Sequence, residues 1–542
     1  MLRPGLSTFF IFVFPVLVYG QDALRQADSL VAKALPLQEH GLSVLVTRGD
    51  EVLYHRQAGY ADVEGKTWVD GQTLFRIGSV TKQFTASAIL KLVEMGKLEL
   101  DDPLEKFIPG FPKGDKVTIH HLLTHTSGIK SYTDQPSFLK RVTSPVTPAE
   151  LVKEIQELGY DFEPGEQWKY NNSAYYLLGY LVERVSKMRY GKFLSKHLFK
   201  PAGMKNTGVY NNKKSYRNEA LGYAMEVEGG IKKALDWQMS WAGAAGNLYS
   251  TAEDLEKWNR TLFSGKVLSK ESLQKAHAKV KLNDGSEHPY GYGWGLNEYR
   301  GLRRIGHSGG LHGFLSYLVY YPPVEGTIVV LSNCSPPKNV VPGSFAEKLT
   351  DIFFKEHLEE NKAIPLDSTV LDQYVGQYEY PGSAIMTISR EGEHLFAQLT
   401  GQNGYEIFPK GDHTFFWKVV PAEVKFVMER GQVTAAMHKQ GGGEFKAMKL
   451  KVRQAITLGA GVFDSYTGKY DLMGQEVSVW EEDGAFFAQV SGQPKARIFP
   501  ASKNLFFMKD MAVDIEFETH QGVTQGLIIH QSGRQVKASK KE

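Results

Sequence analysis

Ser79 stands three residues before Lys82 in the stretch "RIGSVTKQF", where a helical pattern of apolar residues begins. That spacing puts both side chains on one face of a helix, one turn apart. A lysine inside an apolar helix has a lowered pKa and can accept the serine proton, and the N–H groups at the helix start suit a developing oxyanion. The pair indicates nucleophilic acyl transfer. Because S-x-x-K alone often arises by chance, the alternative is a capping serine beside a solvated lysine.

Ser308 is the rival nucleophile, because "RIGHSGGLHG" fits G-x-S-x-G, the nucleophile elbow of α/β-hydrolases. An elbow requires a strand–turn–helix context, whereas the residues after Ser308 are glycine-rich and then strand-like. The pattern favours a stretch that serves a nucleophile elsewhere. There His307 and Ser308 line a cleft, Gly309 and Gly310 let substrate approach the backbone, and the Gly310 N–H completes an oxyanion hole with that of Ser79.

Tyr170 and Asn172 precede a second long apolar helix, in "EQWKYNNSAYYLLGYL". Two residues apart in a loop, both side chains can point into one cleft. Tyr170 can then pass a proton to or from the nucleophile, and Asn172 can hold a substrate amide. The structural alternative is a tyrosine packed under the helix, with Asn172 as the N-cap.

Three histidines in "TIHHLLTHTSGI" admit a zinc interpretation. His121 and His125 are four apart on a predicted helix, and His120 is adjacent. The motif H-E-x-x-H needs glutamate where Leu122 stands, and no third ligand is evident in the sequence. We therefore expect these histidines to cap and pack their segment, and we predict neither a metal nor another cofactor.

The elements that must position these residues alternate between strand and helix patterns over residues 21–358. "LSVLVTRGDEVLYHRQAGYAD" predicts a hairpin around Gly49, and "FLSYLVYYPPVEGTIVVLSN" predicts two strands. Between them lie apolar helices, two of which have clear start signals at Thr147-Pro148 and Thr251. Strands at both ends with helices between indicate an α+β domain, an antiparallel sheet flanked by helices.

Residues 371–452 and 463–538 are two copies of one pattern of short alternating strands. "YVGQYEY" at Tyr374 returns as "YTGKYDL" at Tyr466, "LFAQLTGQ" returns as "FFAQVSGQ", and "IFP" returns at the same separation. Several aligned landmarks make a chance repeat improbable. Each copy is long enough for seven or eight strands, so we predict two small β-barrels or sandwiches.

Composition and the N-terminal sequence limit the partners and the cellular location that we expect. The net charge of +3 and the absence of basic runs among aromatic residues argue against a nucleic-acid partner. Residues 1–20 combine Arg3 with a short apolar stretch, which predicts a cleavable signal peptide and an exported, periplasmic or secreted protein. No later stretch is long and apolar enough for a transmembrane helix. The single cysteine, Cys334, excludes an intramolecular disulfide.

Taken in chain order, Ser79-x-x-Lys82, Tyr170-x-Asn172 and His307-x-Gly309 resemble the three motifs of the serine β-lactamase and penicillin-binding protein superfamily. The resemblance covers about residues 35–355. It is closest to the branch with Y-x-N, which holds class C β-lactamases, D-alanyl-D-alanine carboxypeptidases, D-aminopeptidases and esterases. The C-terminal copies resemble the lipocalin-like barrels appended to some of these hydrolases.

The resemblance implies an all-helical subdomain beside the sheet and an acyl-enzyme formed on Ser79. Lys82 and Tyr170 would share the base and acid roles in either order, and Asn172 would orient Lys82 and the substrate. The resemblance also implies a small-molecule or peptide substrate, with cell-wall fragments as one source. Lysine opens the third motif of most β-lactamases and carboxypeptidases, but His307 stands here. Histidine is mostly neutral near pH 7 and is frequent in the esterases and D-aminopeptidases, so efficient β-lactam hydrolysis is not expected.

Overall fold

The computed structural model describes residues 16–35, 39–226, 230–337, 340–380, 384–420, 422–440, 443–450, 455–459, 461–472, 474–509, 513–520, 522–531 and 534–541. The chain divides into two compact units, of which the first ends at Glu359 and the second begins at Glu360.

The α-helices of the described chain all lie in the first unit: α1 Val16–Ala34, α2 Thr81–Glu94, α3 Ile119–Leu123, α4 Phe138–Arg141, α5 Pro148–Leu158, α6 Asn172–Ser186, α7 Tyr190–Leu194, α8 Gly243–Gly246, α9 Ala252–Phe263, α10 Lys270–Ala276 and α11 Pro342–Phe353. Short 3-10 turns add to them at Gly78–Val80, Leu104–Lys106, Tyr132–Asp134, Pro322–Val324 and Lys355–His357. The predicted starts at Thr147-Pro148 and Thr251 are confirmed, because both threonine side chains accept a backbone N–H bond as N-caps.

The strands of the first unit are β1 Leu42–Arg48, β2 Glu51–Ala58, β3 Tyr60–Asp62, β4 Thr67–Trp68, β5 Phe75–Arg76, β6 Gly208–Val209, β7 Tyr223–Met225, β8 Ile231–Lys233, β9 Leu248–Ser250, β10 Val280–Lys281, β11 Glu287–His288, β12 Gly295–Tyr299, β13 Leu302–Leu311, β14 Phe314–Tyr321 and β15 Gly326–Ser332. Six of them form an antiparallel sheet in the order β12-β13-β14-β15-β1-β2. The two hairpins predicted from the sequence, β1–β2 and β14–β15, are confirmed.

Helices cover both faces of this sheet. In β15, Val329 and Leu331 join one buried cluster together with α2 and α6, whereas Ile328 and Val330 join another together with α1 and α11. Successive side chains of a strand point to opposite faces, so a strand buried on both faces has a continuous apolar run, here "IVVL". The predicted α+β fold is confirmed.

The second unit holds two closed eight-stranded barrels. The first comprises β16 Gly376–Glu379, β17 Ile385–Glu391, β18 His394–Leu399, β19 Tyr405–Gly411, β20 Thr414–Trp417, β21 Ala422–Glu429, β22 Gln432–Gln440 and β23 Gly443–Lys449. The second comprises β24 Gly468–Leu472, β25 Gln475–Glu482, β26 Ala485–Val490, β27 Ala496–Pro500, β28 Leu505–Met508, β29 Val513–His520, β30 Val523–Gln531 and β31 Arg534–Lys540.

Equivalent tyrosines mark the repeat in three dimensions. The buried Tyr378 hydroxyl donates to the Tyr374 carbonyl at 2.7 Å, and the Tyr470 hydroxyl donates to the Tyr466 carbonyl at 2.6 Å. Each pair ties the start of its barrel to the 3-10 turn before it, Ser368–Gln373 or Phe463–Tyr466. The predicted pair of small barrels is confirmed, and the exact domain limits stay predictions.

The predicted signal peptide, residues 1–20, falls mostly outside the described residues, which begin at residue 16, and it stays a prediction. Among the described helices, none is long and apolar enough to cross a membrane.

One buried ion pair joins the sheet to α11. The Arg304 guanidinium on β13 donates to Glu347 at 2.9 Å, and the two side chains are 4% and 2% exposed. Burial raises the pKa of Glu347, and Arg304 opposes that rise. Removing one partner leaves an uncompensated buried charge.

We therefore expect Glu347→Ala to lower the free energy of unfolding by about 3–5 kcal/mol. Glu356→Ala, which breaks the exposed pair between Arg48 and Glu356, should cost less than about 1 kcal/mol. Urea unfolding followed by tryptophan fluorescence measures both. An equal loss of unfolding free energy from the two substitutions would contradict the structural importance of the buried pair.

Candidate active site

Ser79 lies on the 3-10 turn Gly78–Val80, which runs directly into α2. Gly78 has φ +49°, a conformation that side chains other than glycine rarely adopt, and its Cα faces the backbone of Gly310 on β13. A side chain at position 78 would meet the Gly310 nitrogen at 2.8 Å. Glycine therefore lets the start of α2 lie directly against β13.

Lys82 is fully buried one turn after Ser79. Its Nζ lies 3.1 Å from Ser79 Oγ, 2.9 Å from Asn172 Oδ1 and 3.0 Å from the Ala245 carbonyl oxygen. These three groups come from the turn before α2, the first residue of α6 and the short helix α8. The predicted proximity of serine and lysine is thus present, and two distant segments complete it.

No carboxylate of the described chain pairs with Lys82, and its surroundings are otherwise aromatic. Nζ lies 4.6 Å from the centre of the Tyr170 ring and 5.5 Å from that of Tyr175. Burial lowers the pKa of Lys82 well below its ordinary value, because the charged ammonium loses its hydration and gains no ion pair.

Tyr170 covers Lys82 with its ring and points its hydroxyl toward Ser79. The hydroxyl is buried, and within the described part of the chain no group completes a hydrogen bond of normal geometry with it. Burial raises the pKa of Tyr170, an effect that the nearby Ser79 hydroxyl partly opposes. The phenol is therefore neutral around pH 7 and has a proton to donate.

Asn172 is held from both sides. Its Oδ1 accepts from Lys82, its Nδ2 donates to Thr133 Oγ1 at 3.0 Å, and its backbone N–H donates to Ser131 Oγ at 3.3 Å. The N-cap of α6 is Asn171, whose side chain accepts from the Ala174 N–H, so the capping alternative for Asn172 is wrong. Because Asn171 takes the capping role, the Asn172 side chain is free to face Lys82.

The third motif forms the far end of β13, beyond the part that pairs with β12. A side chain at Gly309 would collide with the Ile77 carbonyl oxygen at 2.0 Å and with Ser316 Oγ at 2.4 Å. The backbone nitrogen and oxygen of Gly310 both lie close to Gly78, the residue before Ser79. Gly309 is thus required by space, and Gly310 lies beside the turn that carries Ser79.

Ser308 lies within β13, with its side chain exposed and its backbone paired with Tyr317. The chain continues from β13 into β14 by a tight hairpin, so the element directly after the strand of Ser308 is another strand and not a helix. The strand–turn–helix context of a nucleophile elbow is therefore absent from this described segment.

His307 is buried, and both of its ring nitrogens are used within the protein. Nδ1 lies 2.5 Å from the Ser308 carbonyl oxygen, and Nε2 lies 2.9 Å from the Tyr290 hydroxyl. Burial, with Lys82 nearby, lowers the pKa of His307 to about 3. The side chain that was predicted to line the cleft is neutral, and its polar atoms are turned to protein partners.

The three histidines of the zinc interpretation contact separate partners. The His120 Nδ1 contacts the Tyr292 hydroxyl, His121 completes a capping box with Thr118, and His125 contacts Tyr290. Among the described residues no group of three or more His, Cys, Asp or Glu side chains is arranged to hold a metal ion.

Sequence reasoning missed several residues around the site. Ala245, Ser131 and Thr133 position Lys82 or Asn172, and Tyr290 and His125 bond to the ring of His307 or to one another. Ala245, His125 and Tyr290 lie in the segments "WAGAAGNLYS", "THTSGI" and "YGYGWGL", and Ser131 and Thr133 lie in "KSYTD"; no local pattern in these segments reveals a role.

A six-stranded antiparallel sheet with helices on both faces, and a helical layer around α2 and α6, defines the fold of the β-lactamase and transpeptidase-like serine hydrolases. The chain belongs to the Beta-lactamase family, whose sequence pattern matches residues 28–350. A domain of unknown function (DUF3471) matches residues 360–451, which include the first barrel.

Individual relatives agree with that assignment. Penicillin-binding protein 4* of Bacillus subtilis (strain 168) is 30% identical over 432 residues, which are 76% of this chain and 95% of that protein. An octameric penicillin-binding protein homologue from Pyrococcus abyssi aligns with a TM-score of 0.55 and 26% identity, over 78% of this chain and 99% of its own. D-amino acid amidase from Ochrobactrum anthropi SV3, complexed with L-phenylalanine amide, aligns with a TM-score of 0.55 and 26% identity, over 62% and 99%.

The close approach at Gly309 leads to a matched pair of substitutions. Gly309→Ala must push β13 away from Ile77, and a displacement of about 1 Å in a catalytic site can cost about a hundredfold in rate. We expect that loss in kcat/KM for a p-nitrophenyl ester, with the protein still folded. Gly310→Ala should lose far less, because its methyl group would meet only the Leu315 side chain at 3.6 Å. The reverse order would show that this end of β13 does not shape the site.

Proposed function

We propose that the chain is a serine hydrolase that cleaves an amide or ester through an acyl-enzyme on Ser79. Lys82 and Tyr170 are the other catalytic residues, and Asn172 with the end of β13, residues 307–310, binds substrate. Ser308 contributes an exposed hydroxyl to the cleft. The substrate class is a D-amino-acid peptide, amide or ester, small enough to enter the cleft at Ser79.

The surroundings of Lys82 Nζ carry this proposal. Asn172 Oδ1 and the Ala245 carbonyl can only accept hydrogen bonds, so a neutral amine directs its two N–H bonds at them. Its lone pair then points at the third neighbour, Ser79 Oγ, which lies 3.1 Å away. A neutral Lys82 is therefore fully hydrogen-bonded and aimed at the proton that a base must remove.

The two ionisable groups separate into a base and an acid. Burial lowers the pKa of Lys82 and raises that of Tyr170, which supports Lys82 as the base and Tyr170 as the proton donor. In acylation, Lys82 takes the Ser79 proton while Ser79 Oγ bonds to the carbonyl carbon. The Ser79 and Gly310 N–H groups stabilise the oxyanion, and the leaving group departs with a proton relayed through Lys82 and Tyr170. Water activated by Lys82 then releases the acid and restores Ser79.

The relatives support amide chemistry, since a D-amino acid amidase and a penicillin-binding protein homologue share this fold. A β-lactamase or D-Ala-D-Ala carboxypeptidase is the alternative within the same chemistry, and a weakly catalytic binding or sensor protein is the alternative of another class. Rates with a D-amino-acid amide, a short ester and a cephalosporin distinguish the proposed function from the β-lactamase or carboxypeptidase alternative. Intact Ser79 and Lys82 argue against the binding or sensor alternative. We also propose export, on the signal-like composition of residues 1–20.

Ser79→Ala is expected to abolish hydrolysis of a short-chain p-nitrophenyl ester, because it removes the atom that forms the acyl bond. Ser308→Ala should retain substantial activity, because its hydroxyl only lines the cleft. A fluorophosphonate probe should add its mass to the peptide that contains Ser79. An active Ser79→Ala protein, or a label on another residue, would refute the assignment.

The pH dependence follows from the protonation state of Lys82. As the base it must be neutral, so kcat/KM should fall at low pH and rise to a plateau well below the ordinary lysine pKa of 10.5. The pH profile of kcat/KM should show no inflection from His307 near the ordinary histidine pKa of 6.5, since the pKa of His307 is lowered to about 3. The profile of His307→Gln should keep the same midpoint. A midpoint near 6.5 that disappears in His307→Gln would identify His307 as the titrating group instead.

A further inference from the structure

A cavity of about 370 Å³ lies in the first unit, between the β3–β4 hairpin with the residues that follow it and the segment 214–221. Small-molecule pockets in proteins usually measure about 300–1,000 Å³, so this one can hold a small ring compound. None of its lining residues belongs to the site at Ser79. The cavity is therefore a separate candidate binding site, which we call the Trp68 cavity after its most exposed aromatic side chain.

Backbone hydrogen bonds hold the two walls of the Trp68 cavity together. The Leu221 N–H donates to the Ala61 carbonyl at 2.8 Å. The Leu74 N–H donates to the Asn218 carbonyl at 2.7 Å, and the Ala220 N–H donates to the Leu74 carbonyl at 3.0 Å. Because these bonds tie the segment 214–221 to the residues before β5, the walls keep their spacing without a ligand. A site formed in advance loses little conformational freedom on binding.

Trp68 gives the cavity a flat aromatic surface. It is 52% exposed, more than any other of the eight tryptophans, all of which lie in the described part of the chain. One face of its ring stacks on Tyr60, with ring centres 4.3 Å apart and planes 30° apart. Tyr60 does not line the cavity, so the face of Trp68 turned away from Tyr60 is the one that a ligand can cover. The stack holds that face in place.

The polar groups around Trp68 carry charges of both signs. Asp62, Asp70 and Glu219 line the cavity as carboxylates, and each already accepts a hydrogen bond within the protein. Lys214 and Arg217 line it as cations, and among the described residues neither side chain has an ion-pair or hydrogen-bond partner. A ligand with a net charge of either sign therefore meets like charges in the cavity.

A neutral ligand with several hydroxyl groups matches this lining. A hydroxyl both donates and accepts, so it can donate to the carboxylates and accept from the lysine and the arginine. The same ligand must also present a flat apolar face, because the exposed side of Trp68 is a large apolar surface. A sugar ring combines the two properties, since its hydroxyls lie around the edge and its C–H groups form a face that packs on an aromatic ring.

We propose that the Trp68 cavity binds one ring of a neutral oligosaccharide. The ring stacks on the open face of Trp68, and its hydroxyls bond to Asp62, Asp70, Lys214 and Arg217. The chain then has a carbohydrate-binding site in addition to the site at Ser79. This inference does not rest on the hydrolase function, because the two sites share no residue.

Saturation-transfer difference NMR on the full chain tests the proposal with two neutral trisaccharides, maltotriose and triacetylchitotriose. For one small ring in an open cavity we expect a dissociation constant on the order of millimolar for at least one of them. Trp68→Ala should weaken that binding by about tenfold, because it removes the stacking surface. Absence of binding to both sugars, or equal binding by the wild type and Trp68→Ala, would overturn the proposal.

Neighbouring lysines provide a matched pair for the polar contacts. Lys214→Ala removes a cation that lines the cavity and should weaken sugar binding by about twofold to tenfold, the range of one hydrogen bond. Lys213→Ala removes an exposed cation one residue earlier, outside the lining, and should leave binding at the wild-type value. Equal effects of the two substitutions would show that sugar binding depends on surface charge and not on the cavity, and would count against the proposal.

Trp480→Ala is the matched control for Trp68→Ala. Trp480 lies on β25 of the second barrel and also stacks on an aromatic ring, that of Phe487, with ring centres 5.7 Å apart. Sugar binding by Trp480→Ala should equal that of the wild type. A loss as large as that of Trp68→Ala would mean that the sugar does not bind in the Trp68 cavity. Adenosine monophosphate tests the competing ligand class, since its base can stack but its phosphate meets the carboxylates. Tighter binding of the nucleotide than of both sugars, lost in Trp68→Ala, would overturn the sugar class.

Two further measurements separate the Trp68 cavity from the site at Ser79. Trp68→Ala should hydrolyse the p-nitrophenyl ester at the wild-type rate, which also shows that the variant is folded. Protein whose Ser79 carries the fluorophosphonate label should bind the sugars as well as unlabelled protein does. Loss of sugar binding on labelling would place the sugar at Ser79 and overturn the proposal. A protein that does not label would refute the hydrolase function, and the Trp68→Ala comparison would still decide the sugar site.

Discussion

The site depends on one buried lysine, Lys82, which is removed from water and has no carboxylate partner among the described residues. Nζ of Lys82 meets three oxygen atoms, from Ser79, Asn172 and Ala245, and its remaining surroundings are aromatic rings. A charged ammonium in such a place is costly, whereas a neutral amine keeps every hydrogen bond. The neutral amine uses two acceptors, Asn172 Oδ1 and the Ala245 carbonyl, and one hydroxyl, that of Ser79, and these three groups come from three separate segments packed around α2.

Two further segments must come within van der Waals distance of the lysine helix. Gly179 lets α6 lie against α8, since a methyl group there would meet the Ala244 side chain at 2.2 Å, and α8 carries the Ala245 carbonyl that accepts from Lys82. Gly309 lets β13 lie against the turn that holds Ser79. Backbones that pack this closely leave little freedom to the groups between them, which is the condition for positioning a nucleophile, its base and an oxyanion hole.

Local sequence signals predicted the structural features that depend only on residues close together in the chain. S-x-x-K placed two side chains on one turn, the caps at Thr147 and Thr251 set helix starts, and alternation with turn residues gave the hairpins and both barrels. Sequence alone left open whether Asn172 caps α6 or faces the cleft, because Asn171 and Asn172 have equal capping propensity and only the contact with Lys82 separates them. Helix termini are often uncertain to that extent.

By itself, the sequence determined the order of the three motifs, the α+β class and the repeat, because each is written in residues close together in the chain. Tertiary structure alone decided the protonation of His307. Its partner Tyr290 lies on a different segment, and the partner of Tyr290, His125, is 165 residues from it along the chain. Hydrogen-bond direction and burial depend on contacts between residues that are distant in the chain, and no local sequence pattern encodes those contacts. The protonation state of His307 is therefore a property of the fold.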